Sequence, residues 1–280
     1  AEVRPNEQFT FHSSRMRMQH VTPEQLTQMD ADSLRCAAEL ADARVDAMAY
    51  ACLVAIMAQS RGYHVVSESK LAQVAKEESG EAIPVLSSAG ALTEALAHLN
   101  VRKIAVVTPY MKPLTATVCD YIEHEGFEVV DSLSLEVADN LAVGRLDPRN
   151  LLEHSRTVDT SGAEALVISA CVQMPSLPIL DELQHQFRIP VLSAAAATTW
   201  RLLRSLDLDP VVPRAASGDR RRPRPAARQH LEQRPRRVLA RRGTGGRGAT
   251  VARRRRRELR ALLAPRTADR LRGAERAQPV

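Results

Sequence analysis

Long apolar runs are missing from this sequence. None of its 280 residues belongs to a stretch approaching the roughly 18 consecutive apolar residues that a membrane-spanning helix needs, so no span is expected. The opening residues, Ala1-Glu2-Val3-Arg4-Pro5, lack the apolar core of a signal peptide. Cysteine is scarce. Four in a chain of this size make no disulfide framework, and none pair as C-x-x-C, which argues against thioredoxin-like redox chemistry. No glycine-rich phosphate loop follows an apolar strand, which argues against a nucleotide cofactor. The eight histidines are scattered without metal-ligand spacing, so no metal is expected. These absences lead to the expectation of a soluble cytoplasmic body with reduced thiols and no cofactor.

The net charge of +6 hides a junction near Pro213. Residues 214–280 hold 22 Arg and 5 acids, a net of +17, whereas residues 1–213 hold 17 basic and 28 acidic residues, a net of −11. The tail has no Lys, Ile, Met, Phe, Tyr, Trp, Asn or Cys, and 45 of its 67 residues are Arg, Ala, Pro or Gly. Such a composition buries no core, and disorder is expected. Its residues share GC-rich codons, so an out-of-frame reading of GC-rich DNA accounts for it. One rival reading is a basic arm that contacts nucleic acid through phosphates, and another a helix around Arg253–Leu263. Nucleic acid is a partner only if the tail is genuine.

Through the body, short apolar runs alternate with helical spacing. Phe9–His12 reads as a short strand. Thr22 is an N-cap, followed by Pro23 and, three residues after the cap, Gln25, and the helix runs to about Ala43. Strands are predicted at Val45–Ala51, Ile83–Leu86, Val101–Val107, Phe127–Leu135, Ala165–Ala170 and Ile189–Leu192. Helices are predicted around Ser67–Lys76, Ser88–Leu99, Lys112–His124, from Pro148, from Pro175, and over Ala194–Leu206. Cys36 and Cys119 lie within helices and read as core residues. The fold class is α/β: two similar Rossmann-like halves with mostly parallel sheets and an active site in the cleft between them. The first half spans residues 1–100 and the second 101–206, whose last helix packs on the first half.

One feature repeats. Tyr50-Ala51-Cys52 ends an apolar run and is followed by Ile83-Pro84-Val85-Leu86-Ser87. Ser169-Ala170-Cys171 ends another and is followed by Ile189-Pro190-Val191-Leu192-Ser193. The five-residue words are identical and 106 positions apart, and the cysteines are 119 apart. A lone strand-end cysteine is ordinarily a small buried residue. Recurrence at corresponding places points instead to a duplicated half carrying one cysteine each. A thiol at a helix start meets free N–H groups that favour an anion and lower its pKa, and the same groups can bind a substrate carboxylate. Two such thiols facing one cleft can attack or deprotonate from one side and donate a proton from the other. Tyr110 and Asn140, the latter in a loop, sit after strand ends and can share that cleft.

These residues resemble a known family. Ala49–Met57, Thr108-Pro109-Tyr110, Ala138-Asp139-Asn140, Ser169–Met174 and Phe9–Met18 are similar to the maleate isomerases of the aspartate/glutamate racemase superfamily, from about Arg4 to Pro213. The resemblance implies cofactor-free conversion of maleate to fumarate in nicotinate breakdown. It implies Cys52 as the nucleophile that forms a succinyl-cysteine intermediate, and Cys171 as proton donor and acceptor. Tyr110, Asn140 and the backbone amides at Leu53, Val54 and Val172 would hold the carboxylates of a small dicarboxylate. A homodimer is also implied. Family members begin with a strand and an Asn-containing loop ahead of the point where this sequence starts, so a truncated start is expected. Two alternatives stay open: a two-cysteine racemase or decarboxylase of the same superfamily, and an Arg-rich nucleic-acid-binding protein with an inactive enzyme body.

Overall fold

The computed structural model describes residues 8–211. The readings made for residues 214–280 lie outside them. Thr22 opens the first helix as expected: its Oγ1 accepts from the Gln25 N–H at 3.4 Å, and Pro23 begins α1 (Pro23–Asp42). Gln25 reaches back, its Oε1 accepting the N–H groups of Gln19 and His20 at 2.7 and 2.9 Å. After α1 come β1 (Met48–Tyr50), α2 (Leu53–Met57), α3 (Tyr63–Ser79), β2 (Val85–Ser87) and α4 (Ser88–His98). Then come β3 (Lys103–Thr108), α5 (Lys112–His124), β4 (Glu128–Ser134), α6 (Asn140–Val143), α7 (Asn150–Thr157) and β5 (Ala165–Ser169). A 3₁₀ turn at Leu177–Ile179 leads into α8 (Leu180–Gln186), β6 (Val191–Ser193) and α9 (Ala194–Ser205).

The strands form a two-stranded sheet, β1-β2, and a four-stranded sheet ordered β4-β3-β5-β6, and every paired strand runs parallel. Parallel neighbours need a crossover, and the helices supply it. β5 is buried along its whole length and β3 from Ile104 onward, as strands covered on both faces must be. The α/β class and the parallel sheets therefore hold.

The repeated word folds the same way twice. Proline has no N–H to give, but its carbonyl still accepts: Met48 N–H donates to Pro84 O and Leu166 N–H to Pro190 O, both at 2.9 Å. Val-Leu-Ser then forms β2 in one copy and β6 in the other. The closing serine caps the next helix. Ser87 Oγ accepts from Gly90 N–H at 3.0 Å, and Ser193 Oγ from Ala196 N–H at 3.3 Å.

α4 and α9, each next in the chain after a copy of the word, are tied by charge. Arg201 forks onto both carboxylate oxygens of Glu68 at 2.6 and 2.8 Å, and its Nε reaches Glu94 at 2.7 Å. Gly90 makes this approach possible, since a Cβ there would lie 2.5 Å from Glu68 Oε1 and 2.7 Å from Arg201 Nη1.

Several expectations are corrected. Phe9–His12 forms no strand: Phe11 is 81% exposed and packs on Phe9 at 6.2 Å, and no described strand lies alongside to pair its backbone. The first strand is shorter than predicted, since Val45–Ala47 lie in the irregular segment that follows the turn after α1. Leu53–Met57 is helical although no helix was expected there. The helix placed at Ser67–Lys76 extends from Tyr63 to Ser79. Among the described residues, no helix is long and apolar enough to cross a membrane.

Candidate active site

A cavity of about 390 Å³ opens beyond the carboxyl ends of β1, β3 and β5. Cys52, Leu53, Val54, Tyr110, Asn140, Cys171 and Val172 all line it, so the structure brings the seven sequence-predicted site residues together.

Cys52 is the residue between β1 and α2. Its extended backbone (φ −140°, ψ 98°) makes it the N-cap of that helix. Burial pushes the thiol up to about 12, against the N–H groups of Ala55 and Val54, which favour the thiolate. Nearby Cys171 adds to the rise, because two thiolates would repel. The depressed thiol expected from a helix start is therefore not found. One turn of helix offers too little field to offset lost hydration.

Cys171 is 7% exposed and does not precede a helix directly; residues 172–176 intervene before the 3₁₀ turn. That loop still supplies donors. The N–H groups of Met174 and Gln173 and the Tyr110 hydroxyl face the sulfur, while burial again holds the thiol above its ordinary range. Ser169 braces the loop from below: its Oγ donates to Cys171 O at 2.8 Å and lies 3.5 Å from Met174 O.

Tyr110 is 6% exposed, and its Oη donates to Ala170 O at 3.3 Å. Its turn is anchored by buried hydroxyls. Thr108 Oγ1 accepts the Tyr110 N–H at 3.3 Å and lies 2.6 Å from Thr115 Oγ1, which in turn accepts from Ser134 Oγ at 2.8 Å. Burial and the two neighbouring sulfurs hold the Tyr110 phenol far above its ordinary range, so it is a donor throughout.

Asn140, read from sequence as a loop residue, is the first residue of α6. Asp139 caps that turn, its Oδ1 accepting from Ala142 N–H at 2.7 Å, and an isolated antiparallel bridge joins Asp139 to His20. Sequence reasoning missed the wall built from Met18, His20, Val21 and Thr22, which comes to the cavity through that bridge. It also missed Gln173 as a wall residue. The N-cap at Thr22 was the available signal that a turn ended there.

The other two cysteines lie off this wall. Cys36 is buried as expected, whereas Cys119 is half-buried rather than core. Among the described residues, no group of three or more His, Cys, Asp or Glu side chains could hold a metal ion. Among the described residues, no lysine or arginine lines the cavity, so an anion there would meet hydrogen-bond donors rather than a fixed positive charge.

Residues 2–218 match a family model described as arylmalonate decarboxylase. A maleate isomerase of Alcaligenes faecalis is 58% identical over 211 residues, which is 75% of this chain and 83% of the relative. A solved cysteine-to-alanine variant of the maleate isomerase Iso from Pseudomonas putida S16, with maleate, aligns at a TM-score of 0.74 and 55% identity over 76% of this chain and 85% of its own. A cysteine-to-serine variant of the Nocardia farcinica maleate cis-trans isomerase, with a covalently bound succinylcysteine intermediate, aligns at 0.73 and 47% over 76% and 87%. With two thiols on one cavity and this degree of likeness, the chain belongs to the arylmalonate decarboxylase family and, within it, to the maleate isomerases.

Proposed function

We propose that this chain converts maleate to fumarate through a succinyl-cysteine on Cys52. The observation that carries the reading is the convergence of Cys52, Cys171, Tyr110 and Asn140 on one cavity. The carboxylates of the substrate take donors from Tyr110, from the Asn140 side chain, and from the N–H groups of Leu53, Val54 and Val172. A dianion beside a developing thiolate is tolerated only where several such donors converge.

The resting thiols are neutral, so proton transfer accompanies bond formation. Cys52 Sγ bonds to one alkene carbon, and the π pair moves to the neighbouring carbon. That carbon takes the proton of Cys171, and Cys171 regains a proton from the one released by Cys52. The net change is addition of S–H across C=C, with no electrons gained or lost. The former double bond is now single and rotates. The reverse transfers expel Cys52 and leave the trans isomer. No redox partner enters this balance, which supports a cofactor-independent reaction.

The family resemblance supports further assignments: a homodimer, a cytoplasmic location, a place in nicotinate degradation, and similar α/β halves at residues 1–100 and 101–206. Incubation with maleate tests the central reading. Fumarate in the proton NMR spectrum without added cofactor, and a mass increase of one maleate on the Cys52 peptide, are expected. Absence of both defeats it.

A further inference from the structure

We infer that Gln173 is a positioning residue, which ties Asn140 to the Cys171 loop and thereby sets where the substrate carboxylate is held. The inference rests on the isomerase reading above. α6 has four residues, far below the length at which a helix holds itself, so its place depends on outside ties. Two of them are the Asp139 cap and the backbone bridge to His20. The third comes from across the cavity. Gln173 Nε2 donates to the main-chain carbonyl of Asn140 at 2.6 Å. The same residue's backbone N–H faces the Cys171 sulfur. Gln173 therefore joins the proton-handling thiol to the carboxylate-binding turn through three consecutive residues and one side chain.

Gly144, just past α6, accommodates this arrangement. A Cβ there would sit 3.2 Å from Gln173 Nε2 and 3.4 Å from its Cγ. The contact with Nε2 is tighter than ordinary packing, so a side chain at 144 would press on the amide that makes the tie. The two positions thus probe one interaction from opposite sides.

The carboxylate is held alike in the bound substrate and in the transition state, so loosening Asn140 weakens both equally. Gln173→Ala is expected to raise KM for maleate about five- to tenfold while kcat stays within about twofold. Gln173→Glu keeps the shape but replaces the donor with a charge that repels both the Asn140 carbonyl and the dianion, so its KM rises further. Gly144→Ala reproduces part of the rise, and adding it to Gln173→Ala costs nothing more, because the tie is already gone. Hydrogen–deuterium exchange across residues 139–146, measured without substrate, is expected to speed up in Gln173→Ala. Unchanged KM or unchanged exchange in Gln173→Ala overturns this inference alone. A wild-type protein that makes no fumarate overturns the isomerase reading instead, and the exchange measurement still decides whether the tie exists.

Discussion

Cys52 runs straight into a helix, while Cys171 enters an irregular loop. The residues two before them differ as well. In the second copy Ser169 is fully buried and stitches the loop together through the carbonyls of Cys171 and Met174. In the first copy the same place holds Tyr50, which is 4% exposed and whose Oη has no hydrogen-bond partner among the described residues. Cys171 has the Tyr110 hydroxyl beside it, its proton directed to Ala170 O, together with two N–H groups, whereas Cys52 has N–H groups alone and is the more exposed of the two. A duplicated plan has thus produced unequal thiols: one partly exposed to the cavity, the other buried beside a tyrosine hydroxyl. The first suits bond formation with a substrate, and the second suits holding and releasing a proton.

The sharpest way to break this comparison is to remove each sulfur in turn. Cys52→Ala is expected to abolish turnover, by at least about a thousandfold, together with any covalent adduct. Cys171→Ala is expected to lose about a hundred- to a thousandfold in kcat yet still form the adduct, as seen by intact-protein mass spectrometry. An adduct on Cys52→Ala would reverse the roles.

A smaller effect tests the braces. Ser169→Ala leaves the buried Cys171 carbonyl short of its donor and is expected to cost about 1–2 kcal/mol in denaturant unfolding. Tyr50→Phe removes a hydroxyl that satisfies nothing, so it is expected to be neutral or slightly stabilising in the same measurement.

The thiols also leave a mark on stability against pH. Both are raised in the folded state, Cys52 to about 12 from an ordinary value of 9.0. The folded protein thus keeps protons that the unfolded chain releases first. The contribution is whole below about pH 9 and is lost as pH climbs toward 12. Thermal unfolding should show Tm falling through this range, with a shallower fall in Cys52→Ser. The smallest effect belongs to the cysteines off the cavity wall: Cys36→Ala and Cys119→Ala are each expected to keep kcat/KM within about twofold.

Much of the architecture was legible because its signals are local. Val101–Val107 and Ala165–Ala170 are unbroken apolar runs bounded by turns, and they became the central strands β3 and β5. Thr22-Pro23 carries its own capping chemistry. The strand-end positions of Cys52, Tyr110 and Cys171 came directly from those boundaries. Leu53–Met57 was illegible as a helix, since five consecutive apolar residues show no period. Asn140 was misplaced because a four-residue helix leaves almost no pattern. The wall from Met18 to Thr22 depends on a single backbone bridge between residues 119 positions apart, which nothing local encodes. The thiol pKa was misjudged for a related reason: a strand-end thiol was expected to feel a helix start, but the depth of burial that overrides any such field is a property of the assembled cavity.

The identical words at residues 83–87 and 189–193 bear on how the chain reaches this state. A folding chain holds two copies of Val-Leu-Ser and two edges, on β1 and β5, that accept it in the same way. The words themselves cannot discriminate. Chain connectivity can, because joining β6 to β1 closes a loop roughly four times longer than joining β2 does, an entropic handicap of about 1 kcal/mol. The rest of the discrimination falls to the helix after each word, where Gly90 in α4 admits the Glu68–Arg201 contact and the bulkier Ala196 holds the matching place in α9. Exchange of one strand for its twin is thus the characteristic misfolding error written into this repeat, and the helix behind each strand is its proofreader.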